Sequence, residues 1–127
     1  MVRRLVTVLL SLTVVLGLPF VGAQSASAHD TSAAVNTCGS SGTARCGYGG
    51  VTNNHTRVYA CDTYADGYGF RTHYRLKNES TGYIDDANGS TSGCSAAFVG
   101  TTSNPVVTYW VIWKNSYSYV WRGPFTP

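Results

Sequence analysis

Phe70-Arg71-Thr72-His73-Tyr74-Arg75-Leu76-Lys77 alternates strictly along its length. Phe70, Thr72, Tyr74 and Leu76 fall on one side of an extended chain, and the basic set Arg71, His73, Arg75 and Lys77 falls on the other. A period of two over eight residues marks a half-buried β-strand. Working outward, the polar turn Asn78-Glu79-Ser80-Thr81-Gly82 leads into a short returning strand at Tyr83 and Ile84. Further strands are expected near Val51, from Thr56 to Cys61, from Ala96 to Val99, from Val106 to Lys114 and from Tyr117 to Arg122. No stretch beyond the N-terminal leader sustains a 3.6-residue apolar period, and Gly, Ser, Thr, Asn, Tyr and Val dominate. The expectation is an all-β chain: a small antiparallel β-sandwich, or alternatively a partly open barrel, of six or seven strands.

The N-terminus has a different character. Arg3 and Arg4 precede an apolar run from Leu5 to Leu18, and Ala26-Ser27-Ala28 supplies the small residues of a cleavage site. This is the grammar of a secretory signal, and the run is short for a membrane anchor. Residues 1–28 are therefore expected to be removed, leaving 99 of 127 residues as one secreted domain, 29–127. Residues 29–36 are small and polar and predict a flexible leader. The remaining seven basic and six acidic residues nearly cancel, so the basic footprint required for nucleic acid is missing. No later run is apolar enough to span a membrane, no internal repeat or second domain is visible, and a monomer is expected.

Four cysteines in a small exported domain point to two disulfides. Of three connectivities, Cys38 with Cys46 and Cys61 with Cys94 is preferred. The first pair closes a Gly-rich turn and the second ties two strand ends. No Cys-x-x-Cys spacing suggests a thiol enzyme or a zinc ribbon.

Three groupings offer chemistry. The segments 62–69 and 85–89 gather carboxylates, and pairing of 70–76 with 83–84 would bring them to one tip. Asp62, Asp66, Asp85, Asp86 and Asn88 are there candidate oxygen ligands for calcium, the one cofactor to be weighed, although the same residues beside glycine also make ordinary turns. Tyr109, Trp110, Trp113, Tyr117, Tyr119 and Trp121 form an aromatic hairpin. A two-residue turn at Asn115 and Ser116 would set Trp110 opposite Trp121. A three-residue turn including Lys114 would set Trp113 opposite Tyr117 and gather the rings on one face. Such rings either fill the core as a cross-strand ladder or form an exposed platform for sugar rings or a protein. The basic row 71–77 is either a solvated strand face or a dock for an anionic polymer.

For catalysis, His29, His55 and His73 are scattered, and neither Gly-x-Ser-x-Gly nor His-Glu-x-x-His occurs. A His73 dyad with Asp62 or Asp66, or a glycosidase-like pair of Asp66 and Asp85, lacks any accompanying signal. The chain is expected not to be an enzyme. Glycosylation acceptor patterns begin at Asn54, Asn78 and Asn88.

The blocks Val58 to Thr63, Ala65 to Thr72, Asp85 to Ser90, Ser92-Gly93-Cys94 and Thr102 to Val107 resemble small secreted actinobacterial proteins of unknown function, over about Thr56 to Arg122. The resemblance implies an extracellular location and a Cys61–Cys94 disulfide, and it carries no activity. The functional expectation is a secreted, non-enzymatic binding domain recognising an extracellular polysaccharide or protein through the aromatic hairpin. The alternatives are an extracellular enzyme inhibitor presenting the Cys38–Cys46 turn, or a matrix protein with no discrete ligand.

Overall fold

The computed structural model describes residues 30–87, 89 and 91–127; residues 1–28, on which the expected signal peptide falls, and His29, Asn88 and Ser90 lie outside the described residues. Among the described residues eight strands succeed one another: β1 (Thr31–Val35), β2 (Gly47–Thr52), β3 (Arg57–Asp62), β4 (Phe70–Leu76), β5 (Thr81–Asp85), β6 (Ser95–Phe98), β7 (Val106–Lys114) and β8 (Tyr119–Phe125). They form two four-stranded sheets, ordered β1-β2-β3-β6 and β5-β4-β7-β8, with antiparallel pairing throughout. The result is a sandwich and not a closed barrel.

The alternation in β4 explains the packing. Phe70, Thr72 and Leu76 are buried and Tyr74 packs against the core, while Arg71, His73 and Arg75 point outward. Val35, Val51, Val58 and Ala60 meet Phe70, Val106, Tyr109 and Val111 between the sheets. Each fully buried valine or phenylalanine contributes about 1.5–3 kcal/mol. Thr72 is polar yet fully buried, and its hydroxyl donates across the core to the Tyr59 carbonyl at 2.7 Å. The sheets come close enough there that Gly47 and Gly49 leave no room for a side chain: a Cβ on Gly47 would enter the Phe70 ring, and one on Gly49 would meet Thr72 Oγ1.

The disulfides are Cys38–Cys46 and Cys61–Cys94, the preferred pairing. Cys38–Cys46 closes the connection between β1 and β2. Ala60 pairs with Ser95, so Cys61–Cys94 staples the next position of the β3–β6 ladder.

Two expectations are corrected. The flexible leader is in fact β1, whose residues pair with β2 from Thr31 against Val51 to Val35 against Gly47. Its small side chains give little propensity signal, but Val35 is fully buried and backbone bonds to β2 hold the edge. This strand raises the number from six or seven to eight. Neither hairpin register is adopted either. Lys114 pairs with Tyr119 and Ile112 with Trp121, around a four-residue connection, 115–118. Asn115 fixes it, because its Oδ1 accepts the backbone N–H groups of Tyr117 at 2.9 Å and Ser118 at 2.7 Å.

Candidate functional site

The register of the β5-β4-β7-β8 sheet decides where the rings go. Tyr109 is 2% exposed in the core, and Trp113 packs against the core from the same face of β7. Trp110 points to the opposite, outer face. There His73 pairs with both Tyr83 and Trp110, and the neighbouring row runs Asp85, Arg71, Ile112, Trp121. Tyr83, Tyr119 and Trp121 are 55%, 60% and 51% exposed, and Tyr117 at the turn tip is 97% exposed. The aromatic hairpin is thus both core and surface, divided by strand parity.

The outer face is ordered by contacts between its own side chains. The His73 ring lies 5.3 Å from that of Trp110 and 5.9 Å from that of Trp121. Arg71 lays its guanidinium 3.6 Å from the Tyr83 ring centroid and grips Asp85 with two bonds, Nε to Oδ1 at 2.6 Å and a terminal nitrogen to Oδ2 at 2.8 Å. Arg75 bonds Glu79 at 2.7 Å and Thr108 at 3.1 Å. Burial, aided by the Arg71 charge, pushes the His73 pKa below its ordinary value. The basic row is therefore largely neutralised by Asp85 and Glu79, which removes most of the reason to read it as a polyanion dock.

The carboxylates are dispersed in the same way. Asp86 accepts the Asp62 backbone N–H, Asp62 accepts that of Tyr64 at 3.2 Å, and Asp66 accepts the Trp113 indole N–H at 3.1 Å. Asp85 faces Arg71, with Lys114 Nζ at 3.7 Å from Oδ2, the oxygen that also accepts the terminal guanidinium nitrogen. Although 70–71 and 85–86 do share a tip, the proposed calcium set Asp62, Asp66, Asp85 and Asp86 is turned to different partners. No group of three or more metal-ligating side chains forms among the described residues. Asn88 is not among them. The drawn pair of Asp66 and Asp85 is likewise committed to Trp113 and Arg71, and His73 packs on tryptophans.

The Arg71 fork holds the Asp85 carboxyl below its ordinary 3.8. A depressed carboxylate stabilises the fold above that value and loses its contribution as pH falls through the folded pKa. Asp85→Asn is expected to lower stability by about 1 kcal/mol at neutral pH, a modest figure because the pair is partly exposed. Urea unfolding at a series of pH values checks this: the gap to the parent stays constant above about pH 5 and closes in stronger acid. A gap unchanged down to about pH 2 contradicts the assignment.

Beyond the sheet face, a groove of about 500 Å³ opens at the loop end of the sandwich. Its walls come from the Cys38–Cys46 loop, the β3–β4 connection and the β7–β8 turn, bringing Thr37 and Ser40 to Tyr64, Asp66, Tyr68, Trp113 and Tyr117. Comparison with protein-family models, curated proteins and solved structures finds no match in any of the three. The two sites therefore rest on their geometry alone. In the sequence Trp113 and Tyr117 belong to the aromatic hairpin and Asp66 to the carboxylate segments, and nothing there assigns Tyr64, Tyr68 or Tyr83 a contact role. The spacing of Tyr64 and Tyr68 around Asp66 was a usable signal for the groove.

Proposed function

We propose that the chain is exported and works outside the cell as a non-enzymatic binding domain, presenting the outer face of β5-β4-β7-β8 to a polysaccharide. The observation that carries this reading is the exposed ring set Tyr83, Tyr119 and Trp121, arranged around His73 and Trp110 on one sheet face. Three strand spacings separate β5 from β8, so the rings extend over roughly 14 Å, a length suited to several units of a sugar chain. Flat rings stack on the apolar faces of pyranoses, and Arg71 offers its polar edge beside them. The two disulfides fit an oxidising compartment, which agrees with the signal-like segment 1–28 and the resemblance to secreted proteins.

Trp121→Ala is expected to weaken polysaccharide binding about tenfold or more while leaving the melting temperature within a few degrees, since half of this ring already faces water. Tryptophan fluorescence titrated with soluble glucans, chitin oligomers and cell-wall fractions measures it, with Tyr83→Ala as the second variant. If no polysaccharide shifts the parent's emission, the carbohydrate reading fails and a protein partner for this face is tested instead.

A further inference from the structure

The groove at the loop end is built differently from the outer face. Among the described residues, Asp66 is the single charged one on its walls, beside the aromatic side chains Tyr64, Tyr68, Trp113 and Tyr117. The carboxylate is held in place from two sides. Oδ2 accepts the Trp113 indole N–H at 3.1 Å, and Oδ1 accepts the Tyr68 backbone N–H at 2.8 Å. Those two donors fill two of its roughly four lone-pair directions, the bridged Cys38 sulfur packs 3.8 Å from Oδ2 without a proton to donate, and no cation pairs with the carboxylate among the described residues. Arg71 and Lys114 are turned to Asp85, Arg45 of the Cys38–Cys46 loop lies over the Tyr48 ring, and none of the three lines the groove. Tyr117, 97% exposed, stands at the rim on a turn whose backbone Asn115 caps. Exposed and half-buried rings lining one groove with a carboxylate that has no cationic partner form a surface suited to a positive charge.

We propose that this groove is a second binding site and that it takes an alkylated ammonium group, such as a trimethylammonium head on a small solute. Aromatic rings attract cations over their faces, and alkylation removes the N–H groups that would otherwise tie the cation to water. The indole bonded through Nε1 to a carboxylate is the more electron-rich for it. An anion meets only Asp66 and is repelled. At about 500 Å³ the groove is larger than the head group and within the range of small-molecule sites, so the chain bearing the cation fits along it.

The purified chain with both disulfides formed is titrated with choline and with 3,3-dimethyl-1-butanol, which has the same shape with carbon in place of the charged nitrogen. Saturable binding of choline, at least about tenfold tighter than the neutral isostere, is expected from two or more ring contacts plus one carboxylate. Tyr117→Ala should weaken choline about fivefold with an unchanged melting temperature, because that ring packs on little else. Asp66→Asn should erase the preference for charge. Trp121→Ala on the outer face should leave choline binding as it was, so a failure of the polysaccharide reading and a failure of this one are separable. Equal affinity for the two probes, tighter binding of cellobiose than of choline, or no saturation by choline overturns the proposal.

Discussion

Replacing Cys61 and Cys94 together by alanine is expected to lower the unfolding free energy by about 4 kcal/mol, as predicted for a crosslink spanning 33 residues. Domains of this size hold only about 5–15 kcal/mol in total. The melting temperature should therefore fall by more than about 15 °C in thermal unfolding followed by circular dichroism. Cys38–Cys46 spans 8 residues, and its removal should cost less, about 2.5 kcal/mol. A midpoint within a few degrees of the parent after loss of Cys61–Cys94 would mean that the β3–β6 edge holds without its staple.

The second large effect concerns the seam between the sheets. Gly49→Val is expected to destabilise by about 3 kcal/mol, because its Cβ is directed at Thr72 Oγ1 and that hydroxyl is already committed to the Tyr59 carbonyl. Overpacking of this kind must either spread the sheets or break the bond across the core. Gly69 is the control: its Cβ would point into open space, so Gly69→Ala should change stability by no more than about 0.5 kcal/mol. Denaturant midpoints for the two variants decide the matter, and similar values for both would show that the sheets are not closely apposed at Gly49.

What could be read in the sequence follows from how each element is specified. The β4 alternation reports a face buried by side-chain chemistry, so it is visible in one dimension, and the fold class followed from it. β1 is specified by main-chain pairing with a Gly-rich partner, which leaves almost no mark on composition. The β7–β8 register depends on one amide, Asn115, accepting two backbone N–H groups, and a shift of even one residue there exchanges buried rings for exposed ones. That is why the aromatic hairpin could be located while its division between core and surface could not. The outer face is half visible: alternation alone puts Arg71 and His73 on one side of β4, but only the pairing with β5 and β7 brings Tyr83 and Trp110 to them. The groove was hidden because three connections distant in sequence supply its walls.

The strand order carries a kinetic consequence. β3 must find β6, with Arg57 against Phe98, and β4 must find β7, with Phe70 against Trp113, before either sheet has its full complement. With no helix among the described residues to nucleate locally, the search is dominated by closing long segments of chain, and refolding in milliseconds to seconds is the expected regime. Forming the Cys61–Cys94 bond early would convert the first of those distant encounters into a neighbouring one, so oxidised chains should refold faster than reduced ones.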